Sequence, residues 1–324
     1  MAERGKILVI GKVSYGLEFS ISEQFSLFAP EESVGGFTVG SDVKRVFSGM
    51  AGNVAYGLAL LGSPPILVSQ VGNDFDWFYR SHLEKHEVEM RLFIDPEKET
   101  ACQYKITDAQ EKVLEILQDN CYRFLAEGDL EEQFEPKMFL DLTVAFIGTG
   151  KVEADAKFIS TIHGHNKSLP LIYSPDANVH ELTKWRLSQI FEKITVLVCT
   201  EDELKLIEER MKASRDEILA NSTRLKYVIS ILQRSKIIIH SKETRVKVSE
   251  GPAEEIFSDD GWQDAFRAGL IYGVSLKRPI DEAAKLGSAL ASYAVETHEY
   301  QQYSPSFEQV SLRAFEVKTI SKNK

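Results

Sequence analysis

The sequence predicts an α/β fold: a doubly wound, mainly parallel sheet with helices on both faces, and a small antiparallel β lid. Three observations predict it. Apolar runs of strand length, rich in Val and Ile and without alternation, recur along the chain, as in strands buried on both faces. Segments with helical spacing lie between them, so the connections read as right-handed βαβ units. Two stretches, about residues 13–47 and 99–125, break that rhythm with alternation and turn residues.

The core strands are read in chain order. They are KILVIG (6–11), PILVSQVG (65–72), VAFIGTG (144–150), LPLIYSP (169–175), ITVLVCT (194–200), YVISIL (227–232) and KIIIHS (236–241). Helical spacing marks NVAYGLALLG (53–62), where Val54, Leu58 and Leu61 share a face and Gly62 is the stop. DWFYRSHLEKHEV and EDELKLIEERMK follow the same period, and the last third is nearly all helical. The stretch 99–125 reads as a hairpin with a polar turn near 108–112. Such flaps often cover ligand sites; an ordinary edge elaboration is the alternative.

The chain has 324 residues, enough for one large domain over 1–320, with 321–324 expected as a disordered tail. The formal charge of −11 argues against nucleic acid and anionic membrane as partners. No apolar run approaches the roughly 20 residues that a membrane helix needs. The apolar run near the start is too short for the core of a signal peptide. Three widely spaced cysteines suit a reducing cytoplasm better than a disulfide framework. His163 and His165 form a metal-like pair only superficially, with no third ligand evident nearby.

The stretch SDDGWQDAFRAG (258–269) opens a helix with polar and turn-forming residues and puts Asp264 in the first turn. A helix start carries open N–H donors and partial positive charge, so it suits an anion, and a carboxylate beside it can take a proton. The plain alternative for Asp264 is an acid favouring the helix dipole. Asn53 reads either as a helix cap or as a ligand contact, and Glu203 as helix surface or as a group linked to a metal. Arg267 reads as a paired helix residue or a ligand contact.

Three segments, SGMAGNVAYGLALLGSPPILVSQVGNDF (48–75), DGWQDAFRAGLIYG (260–273) and KLGSALASYAVETHEYQQYSP (285–305), resemble the ribokinase-like (PfkB) sugar and nucleoside kinases, most nearly the prokaryotic adenosine-kinase-like subgroup. The resemblance covers about residues 5–315. It implies phosphoryl transfer from ATP, with Mg2+, to a hydroxyl of a small-molecule nucleoside or sugar. It implies that Asp264 is the base and Gly261 the first residue of the anion hole. Gly49 and Asn53 would hold the acceptor, and Glu203 would order the metal and phosphates. A cytoplasmic homodimer joined through the lid is also implied.

The sequence departs from the family's pattern on the ligand side. Gly16 stands where a substrate-gripping Asp is usual, and Thr200 replaces the Asn paired with Glu203. The nucleotide loop offers Ser230, but Leu232 and Ser235 stand at its glycines. Ser174 to Ala177 replace a DPGQ run, and Ser258 replaces an Asp. Trp262 and Gln263 stand where small residues admit a phosphate, so Trp262 either stacks a base or plugs the anion hole. Losing a donor where charge develops costs on the order of a hundredfold in rate. Two functions from different classes are therefore expected: an ATP-dependent kinase, or a silent pseudokinase that binds ligand or regulates. An altered phosphate donor is a third reading.

Overall fold

The computed structural model describes residues 5–22, 24, 43–234 and 236–323. Strand β1 (Lys6–Gly11) runs from the large sheet into lid strand β2 (Ser14–Ser20), which is joined by β3 (Lys44–Ser48). Helix α1 (Met50–Leu60) leads to β4 (Ile66–Gly72), and α2 (Tyr79–Lys85) to β5 (Glu89–Asp95). The lid is completed by β6 (Ala101–Thr107) and β7 (Val113–Gln118). Short helices α3 (Leu130–Gln133) and α4 (Pro136–Leu140) precede β8 (Leu142–Gly148). Next come α5 (Val152–His165), β9 (Leu171–Tyr173), α6 (Lys184–Phe191), β10 (Val196–Thr200), α7 (Glu201–Met211), α8 (Arg215–Asn221) and β11 (Tyr227–Gln233). The chain then forms β12 (Lys236–His240), β13 (Thr244–Val248), α9 (Trp262–Ser275), α10 (Ile280–Ala294), α11 (Phe307–Glu316) and β14 (Thr319–Asn323).

The large sheet has the order β14-β13-β12-β11-β10-β9-β8-β1-β4-β5. From β11 to β5 every pairing is parallel; β12, β13 and β14 add antiparallel strands at one side. Alternate residues of β1 enter opposite cores: Ile7 and Val9 pack with α1, α9 and α10, and Leu8 and Ile10 with α5, α6 and α7. That two-sided burial is why the strand lacks alternation. Among the described residues no helix is long and apolar enough to cross a membrane.

The second sheet, β3-β2-β6-β7, is the expected lid. Its outer pairings are antiparallel, while β2 and β6 in the middle run parallel, because each enters the lid separately from the large sheet. The hairpin turn is set by Asp108, whose Oδ1 accepts from the Gln110 and Lys112 N–H groups. Residues 25–42 of the first lid stretch lie outside the described residues.

One expectation is overturned: residues 321–323 are no disordered tail. They extend β14, which pairs with β13 along its length, and Lys324 alone of that tail lies outside the described residues. The polar sequence hid a strand whose pairing partner is some seventy residues away. Strand β5, at one edge of the sheet, and β13, next to the other edge, were missed for a related reason: partly exposed strands lack the fully buried signature.

Candidate active site

The C-terminal ends of the parallel strands deliver their loops to one edge of the sheet, where α/β folds place ligands. The lid closes over that edge. Between them lies a cleft of about 430 Å3. The starts of α1, α7 and α9 all border it, through Gly49 and Asn53, Thr200 and Glu203, and Gly261, Gln263 and Asp264.

Each start is shaped by its sequence. Gly49 caps α1 at φ 93°, and a Cβ there would lie 2.6 Å from the Lys12 carbonyl oxygen, so the chain crossing requires glycine. Thr200 and Glu203 form a capping box on α7: the Thr200 hydroxyl accepts from Glu203 N–H, and Glu203 Oε2 accepts from Thr200 N–H at 2.7 Å. Gly261 caps α9 at φ 74°, with the Tyr300 ring 2.9 Å from where a Cβ would sit. No side chain caps α9, so its first N–H groups are left for another partner.

Asp264 lies at the floor of the cleft. Asn53 Nδ2 donates to its Oδ2 at 2.8 Å, and Arg267 Nη1 donates to its Oδ1 at 3.0 Å. Burial pushes the Asp264 carboxyl above the usual carboxylate range, and Arg267 and the Asn53 amide oppose that push. Behind Asn53 a buried chain continues: Gln301 Nε2 donates to Asn53 Oδ1 at 2.9 Å and to the Tyr79 hydroxyl at 2.8 Å, and His82 Nε2 meets Gln301 Oε1 at 2.9 Å. Burial raises Glu203 as well, opposed by Thr200 N–H and Arg267.

Trp262 does not plug the cleft. Its side chain, 7% exposed, faces away into a second pocket of about 270 Å3, among Ile237, Pro252, Ala253, Ile256 and Ala291. The turn at 259–262 therefore separates two cavities. It is held from both sides: Arg234 pairs with Asp259 at 3.1 Å, and lid residue Lys105 pairs with Asp260 at 2.7 Å.

Two expected site residues are corrected. Gly16 is buried and does not border the cleft; a Cβ there would meet Val46 Cγ2 at 2.5 Å, so that face is filled, and Ser14, Ser48 and Gln103 line the cleft instead. Ser230 is 1% exposed and borders neither cavity, because its hydroxyl faces His240 Nε2 at 3.3 Å. Leu232 is exposed, and Ser235 lies outside the described residues. The residues that sequence reasoning missed include Lys12, Asp176 and Gln301. Lys12 and Asp176 each lie just past the end of a parallel strand, which was the available signal. Gln301, in a loop far along the chain, gave none.

Residues 20–306 match the family described as pfkB family carbohydrate kinase. The chain belongs to this family. The PfkB chain is 23% identical over 274 residues to a nucleoside kinase of Methanocaldococcus jannaschii, covering 83% of this chain and 86% of that one. It is 24% identical over 280 residues to a 5-dehydro-2-deoxygluconokinase of Bacillus subtilis, covering 82% and 86% respectively. The crystal structure of the M. jannaschii nucleoside kinase superposes with a TM-score of 0.83 at 20% identity, covering 96% of this chain and 98% of that one. The Burkholderia thailandensis nucleoside kinase solved with inosine gives 0.74 at 21%, covering 95% and 96%. The Arabidopsis thaliana ribokinase solved with ribose and ATP gives 0.79 at 14%, covering 96% and 99%. The fold of this PfkB kinase is ribokinase-like.

Proposed function

We propose that this chain transfers the terminal phosphoryl group of ATP to a hydroxyl of a nucleoside or a related sugar, with Asp264 as the base. The observation that carries the reading is the placement of Asp264: a part-buried carboxylate at an uncapped helix start, beside Asn53, in a cleft that Trp262 leaves open. A nucleoside is the favoured acceptor, since the relatives named above include nucleoside kinases and one was solved with inosine. Three free cysteines suit action in a reducing cytoplasm.

The residues present fit a magnesium-bound nucleotide. The apolar pocket holding Trp262 suits a base, and the turn at Gly261 lies between it and the acceptor cleft. The bound nucleotide supplies the phosphoryl group, and its metal offsets charge as that group moves. On the protein side, Ser14, Ser48 and Asn53 would hold the acceptor's hydroxyls, and the lid would exclude water. Asp264 would take the proton of the attacking hydroxyl, with Asn53 fixing its orientation. Backbone N–H groups at the start of α9 would meet the negative charge. Glu203 and Asp176, both lining the cleft, would order the waters that magnesium keeps.

The test is turnover of MgATP with a panel of nucleosides, ribose and sugar acids, and then the same assay with Asp264→Asn. The expected loss is about 10²- to 10⁴-fold in kcat. One observation favours a silent binding protein: Asp264 is already engaged by both Arg267 and Asn53. Nucleoside binding by calorimetry with no ATP turnover would establish that alternative. A homodimer through the lid belongs to the same proposal. Edge strand β7 is exposed along its whole length and carries Leu114 and Ile116 on the side away from the cleft.

A further inference from the structure

We propose that Arg267 is a phosphoryl-binding residue of this cleft, held by Asp264 until an anion arrives. This rests on the proposed function above. The starting observation is a buried guanidinium with an incomplete set of partners. Arg267 is 4% exposed, lies one turn beyond Asp264 on α9, and lines the cleft. Nη1 is spent on Asp264, and Nε–H has no partner among the described residues. A guanidinium carries five N–H donors in a fixed plane and stays protonated. An unused buried donor is costly, so its retention calls for a ligand that uses it.

The neighbouring acids do not supply that use. Glu203 turns its Oε2 to the Thr200 N–H in the capping box. Asp264 takes a single donor from Arg267 and another from Asn53, so the fork is engaged at one prong. A planar fork matches the oxygens of a phosphoryl group. The need for one is local. Gln263 borders the anion corner at the start of α9, and a cation one turn deeper on the same helix adds charge stabilisation there.

In the resting cleft Arg267 neutralises Asp264. When the phosphoryl group enters, the guanidinium turns to its oxygens and Asp264 is released as the base. The acceptor hydroxyl then gives its proton to Asp264, and its oxygen forms the new bond to phosphorus. The bond from phosphorus to the bridging oxygen breaks, and its electron pair leaves with the nucleoside diphosphate. Arg267 keeps all its protons throughout.

The test needs no turnover. Titration calorimetry with sodium tripolyphosphate is run on the full chain as wild type, Asp264→Asn, Arg267→Gln and the double variant. Removing the Asp264 charge frees the fork, so Asp264→Asn is expected to bind the anion about tenfold more tightly than wild type. Arg267→Gln binds more weakly than wild type, and the double variant loses the gain of Asp264→Asn. The double variant leaves no uncompensated member of the ion pair, so it guards against misfolding of the single Arg267 change; circular dichroism checks each. Equal affinities for Asp264→Asn and the double variant overturn the proposal, as does an Asp264→Asn variant no tighter than wild type. A wild type that turns over no acceptor overturns the kinase reading and leaves the anion comparison standing.

Discussion

At the scale of single residues, burial decides which charges this protein carries. Asp155 is fully buried and accepts from the Thr149 hydroxyl at 2.6 Å and the Tyr173 hydroxyl at 3.1 Å, yet burial pushes its carboxyl from 3.8 up to about 7. Folding thus disfavours its charged form. The stability it contributes is fully present below its unfolded value and is lost as pH rises through about 7. Urea unfolding should show wild type losing up to about 4 kcal/mol relative to Asp155→Asn between pH 4 and 8. His82 works in the opposite sense. Burial lowers it from 6.5 to about 4, so its contribution is present above the unfolded value and is lost as pH falls towards 4. Its bond to Gln301 links that titration to Asn53 and Asp264. His82→Gln should flatten the acid limb of the stability curve, and acceptor KM should rise in wild type over the same acid range. An unchanged limb would remove His82 from that chain.

At the scale of elements, helix starts and one ion pair govern the cleft. Thr200, which the family resemblance sets at an Asn position, caps α7 through a complete box with Glu203. Thr200→Ala should cost about 1 kcal/mol in unfolding free energy, while Thr200→Asn should leave stability nearly unchanged, since Asn caps equally well. The lid is tied to the turn before α9 by Lys105 and Asp260, both about a quarter exposed. Such a pair contributes at most about 1 kcal/mol. Lys105→Gln should therefore raise acceptor KM by up to about fivefold with kcat little changed, and the effect in wild type should weaken with salt. A charge swap, Lys105→Asp with Asp260→Lys, should restore the wild-type KM; failure to do so would remove the lid latch.

At the scale of the whole molecule, a sheet buried on two faces supports a smaller sheet whose outer strand is exposed. The exposed β7 edge is where a second copy would pair. Ile116→Lys should shift the protein towards monomer in sedimentation velocity without lowering thermal stability, because Ile116 is 48% exposed. Unchanged sedimentation would exclude this edge as the contact. The strands of the sheet were legible because burial on both faces writes long apolar runs into the sequence. Gly49, Asn53, Thr200, Glu203, Gly261, Gln263 and Asp264 were legible through a family pattern, and all seven border one cleft. Gly16 and Ser230 were expected there too, but Val46 and His240 occupy the space in front of them. The sequence by itself determined the buried strands and the helices, which follow from local periodicity and residue type, and through the family pattern it pointed to the chemistry at the three helix starts. Only the tertiary structure decided where Trp262 turns, which charge neutralises Asp264 and that Gln301 braces Asn53. Those depend on contacts between residues far apart in the chain, and no local pattern encodes them.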